Sequence, residues 1–129
     1  MNYSVQNVVD LIYKDFERHA SRIGLKLYKN SLPKDLKAGC VIRATEITFD
    51  ENQEAIFFIL AKFPDVKSGG NYERNDKAIN AAAAYIANNY AAGHGSGYRF
   101  ELRGQSVEGG EDGQSHVVSN RYFFTLNTE

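Results

Sequence analysis

Apolar residues recur at helical spacing along the first part of the chain. Ser4 is suited to cap a helix, and the valines, isoleucines and phenylalanine that follow it predict a helix from about Val5 to Ile23. Gly24 stands where the C-terminal cap of a helix requires a positive φ. One side of this helix is therefore expected to pack against the rest of the protein, and the side that carries Lys14 to face solvent.

A second helical pattern occupies the middle of the chain. Asn75 or Asp76 can cap it, and the four consecutive alanines at 81–84 favour a slim helix that can lie close to a sheet. Gly93 is predicted to end this helix. The glycine-rich segment 93–97 has the composition of a phosphate-binding loop, but such loops precede a helix and this segment follows one. It is therefore predicted to be a flexible turn.

Alternating apolar and polar residues predict four strands and one further short strand. The four strands span Cys40–Phe49, Glu54–Phe63, Tyr98–Arg103 and Asn120–Leu126, and the short one spans Leu25–Tyr28. The alternation of the first strand slips near Thr45 and Glu46, which predicts a β-bulge there. The order helix-strand-strand-helix-strand-strand predicts an α+β fold. We expect one domain over residues 1–129, with a mostly antiparallel sheet and two helices packed on one face.

The strand Glu54–Phe63 is apolar on both of its faces. One face carries Ile56, Phe58 and Leu60, and the other carries Ala55, Phe57, Ile59 and Phe63. Helices on one side of a sheet leave the opposite face uncovered, so either the chain itself or another subunit has to cover it. On this basis Phe57 and Ile59 are predicted to lie in a protein interface.

Two long polar loops are predicted, at Pro64–Asn75 and Glu108–His116. The second joins two aromatic-rich strands and exceeds the two to five residues that a hairpin needs. Loops held on a rigid sheet are frequent binding sites. The predicted contact residues are Lys67, Tyr72, Glu73 and Arg74 in the first loop and Glu108, Glu111, Asp112 and His116 in the second. Deleting Gly109–Ser115 is expected to leave a folded monomer that cannot assemble.

Composition narrows the classes of protein that the chain can represent. The 129 residues are 43% hydrophobic, which provides a core and excludes global disorder. No apolar run approaches the roughly 20 residues of a membrane span. The start of the chain lacks the layout of a signal peptide. The single cysteine, Cys40, lies in a predicted strand and is expected to be a packed thiol rather than a nucleophile.

The charged residues are unevenly distributed along the chain. Residues 1–45 contain eight of the 15 Lys and Arg and four of the 16 Asp and Glu, which leaves seven basic and twelve acidic residues for the remainder. The net charge of −1 argues against general affinity for nucleic acid. The uneven distribution is compatible with an ordinary solvated surface, and also with two unlike faces that meet between subunits.

Candidate catalytic residues are few. The three histidines, His19, His94 and His116, do not have the spacing of a zinc site, and the acidic loop lacks the ligand pattern of a calcium loop. No pair of carboxylates is recognisable as an acid–base couple. The sequence therefore predicts no catalytic residue, no cofactor and no metal.

A charged row lies along the predicted strand Tyr98–Arg103. Arg99, Glu101 and Arg103 alternate with residues that point to the opposite face. They are predicted to be a solvated ladder or the polar lining of a contact. Single-stranded nucleic acid would need aromatic side chains on the same face as the arginines, and within this strand the aromatics point the other way.

The arrangement of elements resembles that of the tail terminator, or minor capsid, proteins of long-tailed bacteriophages. The resemblance covers nearly the whole chain, through element order and pattern. It rests on the amphipathic first helix and on the segments Cys40–Arg43, Ala55–Leu60, Asp76–Ala82 and Asn120–Phe124. The resemblance implies a non-enzymatic ring, hexameric in known members, that caps the tail tube and joins it to the head. It further implies a virion protein made in the cytoplasm of a bacterial host, with tail-tube and head-completion proteins as partners.

Two other classes remain open. One is a small immunity- or adaptor-like module that uses its loops to bind one different protein and is a monomer alone. The other is a small enzyme of unrecognised type, whose site would bring His94 or His116 together with acidic residues. The resemblance and the doubly apolar strand favour the ring-forming structural protein, with the loops 64–75 and 108–116 in contact with neighbouring subunits or with the tail.

Overall fold

The computed structural model describes residues 3–50 and 52–127 and has an α+β fold in this part of the chain. In chain order the elements are α1 (Val5–Arg22), β1 (Leu27–Lys29), β2 (Gly39–Ile47), β3 (Asn52–Pro64), β4 (Val66–Ser68), β5 (Asn71–Glu73), α2 (Asp76–Asn89), β6 (Ala92–Gly95), β7 (Tyr98–Gly109) and β8 (Ser115–Asn127). Six strands form one sheet in the order β1-β2-β3-β8-β7-β6. β1 is parallel to β2 and the other neighbours are antiparallel, so the prediction of a mostly antiparallel sheet is confirmed.

The first helix begins and packs as the sequence predicts. The hydroxyl of Ser4 accepts the backbone N–H of Asn7 at 3.1 Å, and the side chain of Asn7 accepts the N–H of Ser4 at 2.9 Å. These two bonds satisfy backbone donors that the first turn would otherwise leave open. The buried side chains of α1 are Val8, Val9, Ile12, Phe16, His19 and Ala20.

The second helix is shorter than predicted. Asn75 caps it, since its side chain accepts the N–H of Ala78 at 3.2 Å, but the helix ends at Asn89. Gly93 lies in β6 instead, where a Cβ atom would overlap the ring of Phe100. The glycine is therefore needed for close packing inside a hairpin, and the predicted flexible turn at 93–97 is largely a strand.

Both predicted loops contain strand. Gly69 and Gly70, with φ of 57° and 89°, form the turn of a two-stranded ribbon made of β4 and β5. Glycine tolerates positive φ at both central positions of a tight hairpin turn. The second loop shrinks to residues 110–114, because β7 runs to Gly109 and β8 begins at Ser115. The predicted order of six elements therefore lacks β4 and β5, and it also lacks β6.

Burial alternates along β3. Ala55, Phe57, Ile59, Ala61 and Phe63 are buried, whereas Ile56, Phe58 and Leu60 are half-buried. Phe57 stacks on Tyr122 with ring centroids 4.6 Å apart, in the core that also receives Phe16 of α1 and Ile86 of α2. The predicted interface role of Phe57 and Ile59 is therefore wrong, because both side chains are fully buried inside the subunit.

The bulge in β2 lies where the sequence predicts it. The pairing of β2 with β3 shifts its register between Ala44 and Glu46. A second register shift, between Leu102 and Gly104 of β7, was not predicted. Such an irregularity bends the strand and re-aims the side chain at that point, which here is Arg103.

Candidate functional site

The face of the sheet that carries Ile56 contains an open groove. Glu101 of β7 and Ile56 of β3 both pair in register with Phe123 of β8, so these side chains share one face. We name this cavity of about 860 Å³ the outer groove, and its principal lining residues are Glu46, Glu54, Ile56, Arg99, Arg103 and Phe123. Its size lies near the upper end of the range of about 300–1,000 Å³ that is usual for ligand pockets.

The sheet curls to form this groove. Glu46 of β2 and His94 of β6 both line it, although three strands lie between β2 and β6. In a flat sheet these two strands would be about 19 Å apart, at about 4.8 Å a step. Because the sheet curls, residues from strands near its two opposite edges line the same groove. The pattern within each single strand of the sequence does not show this.

The groove has an apolar floor and two walls of different charge. Ile56 is half-buried and Phe123 is 36% exposed, so apolar surface remains in contact with solvent. Glu46 and Glu54 lie on the side of β2 and β3, and Arg99 lies with His94 on the side of β6 and β7. As charged groups, the groove therefore presents only carboxylates on its β2–β3 side, and arginines together with Glu101 on its β6–β7 side.

Two arginines cover the ring of Phe123. The guanidinium carbons of Arg103 and Arg121 lie 4.9 and 4.8 Å from the ring centroid. Arg103 also pairs with Glu101, to which its Nε donates at 2.9 Å. These contacts place both guanidinium groups against the aromatic ring, and Glu101 engages Arg103 as well.

The ribbon of β4 and β5 is the second exposed feature. All six of its strand residues are exposed, including Val66 at 44% and Tyr72 at 55%. Lys67 pairs in register with Tyr72, and Val66 with Glu73. Each face of the ribbon therefore carries one apolar and one charged side chain next to each other.

The turn between β7 and β8 is bonded to the root of the ribbon. The N–H of Asp65 donates to the carbonyl of Gln114 at 2.8 Å, and Asp65 Oδ1 lies 2.7 Å from Nδ1 of His116. Asp112 accepts the N–H of Gln114 and the hydroxyl of Ser115, and these hydrogen bonds lower the pKa of its carboxyl. These hydrogen bonds fix the turn to the end of the sheet.

The predicted contact residues separate into five groups. The ribbon and its flank contain Lys67, Tyr72, Glu73 and Arg74, and the outer groove contains Arg99, Glu101 and Arg103. The tip of the β7–β8 hairpin exposes Glu108 and Glu111. Internal hydrogen bonds engage Asp112 and His116. Phe57 and Ile59 belong to the core. The structure therefore joins Arg99, Glu101 and Arg103 to one site and assigns the other residues to separate places.

The predicted contact residues include only three of the residues that line the groove, and among those missed are Glu46, Glu54, Ile56 and Phe123. The sequence does indicate Ile56, because it belongs to the apolar face of β3 opposite Phe57. The sequence also indicates the ribbon, because Gly69-Gly70 between two short strand-like segments is a pattern typical of a β-hairpin. No local signal indicates that Glu46 lies near Arg99, because that proximity depends on the strand order.

Within the described residues, no group of three or more His, Cys, Asp or Glu side chains is placed to hold a metal ion. No helix in the same part of the chain is both long enough and apolar enough to span a bilayer. In comparison with known proteins, no protein-family model matches the chain and no curated protein matches its sequence.

Proposed function

We propose that the protein is a non-enzymatic structural protein that assembles head-to-tail into a ring. The proposed ring is of the kind formed by tail terminator, or minor capsid, proteins of long-tailed bacteriophages, and hexameric closure fits that resemblance. In this proposal both helices cover the same face of the sheet, and a neighbouring subunit covers the other. The tail tube and the head-completion proteins are the proposed further partners, and the virion is the proposed location.

The observation that carries this proposal is the half-covered face of the sheet. Ile56, Phe58 and Leu60 are half-buried, and Phe123 beside them is 36% exposed. Burying apolar area stabilises an assembly by about 25 cal/mol for each Å² removed from water. An exposed aliphatic and aromatic strip bordered by charges is the usual composition of an interface core and its rim.

The charges around the strip favour a protein neighbour. The outer groove has carboxylates on its β2–β3 side and both arginines and Glu101 on its β6–β7 side, so a partner has to match both signs, which fixes its register. A ring also needs two different patches on each subunit, because a head-to-tail contact joins unlike surfaces. The exposed ribbon supplies a patch unlike the groove.

The test is light scattering coupled to size exclusion over a wide range of protein and salt concentrations, with negative-stain microscopy of the largest species. We expect the wild type to form a defined closed oligomer and Phe123→Ser to weaken it by roughly tenfold or more in concentration, because an exposed aromatic anchor is lost. Val107→Ser is the matched control, since Val107 is 40% exposed but lies outside the outer groove.

A wild type that remains monomeric under all of these conditions contradicts the proposal. That result would favour the alternative, a loop-presenting immunity- or adaptor-like module that binds one different protein. Equal weakening by Phe123→Ser and Val107→Ser would point to general loss of stability, and circular dichroism melts of both variants separate that case.

A further inference from the structure

The ribbon is a protruding element that lacks support from its own subunit. Its strands have three residues each, and every one of them is exposed. An isolated two-stranded ribbon is at best marginally stable in water. Val66 and Tyr72 are also among the most exposed large apolar residues of the described chain. The ribbon therefore has the properties of an element that gains stability when it packs against another surface.

Both ends of the ribbon are nevertheless held in place. Asp65, immediately before β4, is bonded to Gln114 and His116 at 2.8 and 2.7 Å. Arg74, immediately after β5, donates to Asp76 at 2.6 Å. The ribbon is thus presented in a defined direction, and a partner does not have to supply all of the free energy needed to order it.

The ribbon and the outer groove have complementary chemistry. Tyr72 offers an amphipathic ring that suits the apolar floor formed by Ile56 and Phe123. Lys67 stands beside Tyr72 on the same ribbon face, and Glu54 lines the groove next to Ile56 on the same face of β3. The ribbon therefore brings a cation and an aromatic ring together to a site that offers a carboxylate and an apolar surface.

A subunit cannot place its ribbon in its own groove. Ile56 lies near the beginning of β3, and the ribbon begins after Pro64 at its other end. Eight residues of extended strand separate these points by about 26 Å. Two complementary patches at opposite ends of a subunit produce a head-to-tail contact, which closes to a ring or continues as a filament.

Nucleic acid is a poorer match for the groove. Arginines beside Phe123 have the composition of a platform for single strands, and here, unlike in the isolated strand, the aromatic shares the face of the arginines. Glu46, Glu54 and Glu101 line the same groove, however, and would repel phosphates.

We propose, resting on the proposed head-to-tail assembly, that the occupant of the outer groove is the ribbon of a second copy of this chain. Tyr72 of one copy packs on Ile56 and Phe123 of the next, and Lys67 pairs with Glu54 across the contact. The ribbon gains a hydrophobic cover, and the groove loses the apolar surface that it exposes to water.

A charge exchange tests this contact. Lys67→Glu and Glu54→Lys are each expected to raise the dissociation constant of the assembly by roughly tenfold or more, because each creates a like-charge pair at the contact. The double variant restores the opposite charges and is expected to assemble close to the wild-type level. Lys37→Glu, an exposed residue between β1 and β2, is the control for the same change of charge elsewhere.

The outcomes separate the two proposals. If the wild type assembles and the single variants assemble equally well, the ribbon contact is wrong and the ring proposal stands. If the single variants dissociate but the double variant is not restored, Lys67 and Glu54 do not meet. A monomeric wild type overturns both proposals. Tight binding of a fluorescent single-stranded oligonucleotide that Arg103→Ala abolishes would assign the groove to nucleic acid and overturn the ribbon contact.

Discussion

Neighbouring residues of one strand have opposite roles in this protein. Phe57 is fully buried and stacks on Tyr122, whereas Phe58 is half-buried on the opposite face of β3. The two differ only in the side of the strand from which they project, because successive side chains alternate. The sequence shows that two apolar faces exist. The prediction that Phe57 and Ile59 lie in an interface is wrong, because both belong to the face that is buried inside the subunit. Nothing along the strand distinguishes the face that belongs to the core of the subunit.

Cys40 is predicted to be unreactive in the folded protein. Its side chain is fully buried, and burial raises the pKa of the thiol to about 12. Because the thiolate is the reactive form, we expect no labelling by an aromatic disulfide reagent at about pH 8 in native buffer and complete labelling in denaturant. Ser31→Cys, at an exposed position, provides the positive control. Rapid labelling of native wild type would contradict the packing at Cys40.

His19 is predicted to make stability depend on pH. It is buried between the helices, with Nδ1 2.8 Å from the hydroxyl of Tyr85, and burial followed by the charge of Arg18 lowers its pKa from 6.5. Below about pH 6.5 the unfolded chain binds a proton that the folded chain resists, so stability is present at higher pH and falls as the pH falls through this range.

The melting temperature, measured between about pH 7.5 and 5.5, is the test of this dependence. His19→Gln is expected to reduce the loss of melting temperature on acidification. An unaltered pH profile in His19→Gln would show that another group is responsible.

At the scale of elements, hairpins account for most of the difference between sequence and structure. The sequence predicts both helices because a period of 3.6 residues persists over several turns. The sequence predicts β7 too short because its second half is mostly polar and exposed, and a strand that faces solvent needs no apolar pattern. The missed beginning of β8 contains the buried Val118, but its apolar run of two residues is too short to show a strand period. Asp112 and Ser115 consequently belong to a braced turn. Deleting Gly109–Ser115 would remove that brace, so point substitutions are the better test of assembly.

Gln53 is predicted to anchor the segment before α1 to the sheet. Its fully buried side chain accepts the N–H of Tyr3 at 2.6 Å and donates to the carbonyls of Tyr3 and Thr48 at 3.0 and 3.3 Å. Gln53→Ala leaves these groups without partners, and we expect the free energy of unfolding to fall by about 1–3 kcal/mol in urea titrations.

The exposed neighbour Asn52 is the matched control, and Asn52→Ala should change the free energy of unfolding by less than about 0.5 kcal/mol. If Gln53→Ala is as stable as Asn52→Ala, the three bonds of Gln53 do not tie the segment to the sheet. Because the altered bonds lie inside one subunit, this test is independent of whether the protein assembles.

At the scale of the whole molecule, the outer groove and the ribbon are two separate places that expose apolar surface. The outer groove lies toward the beginning of β3, and the ribbon follows its end. A subunit with two unlike and distant patches is suited to head-to-tail association, which both assembly experiments examine. The predicted split between a basic first third and an acidic remainder does not describe this geometry, because the groove combines acids and bases from four strands.

The sequence by itself determined the features that depend on neighbours in the chain: the caps and periods of the helices, the alternation along β3, the bulge in β2 and the burial of Cys40. The tertiary structure alone decided which face of β3 is closed, how β2 and β6 meet around one groove, and where the ribbon points. Those features depend on strand order, curl and pairing between residues far apart in the chain, which local periodicity does not encode.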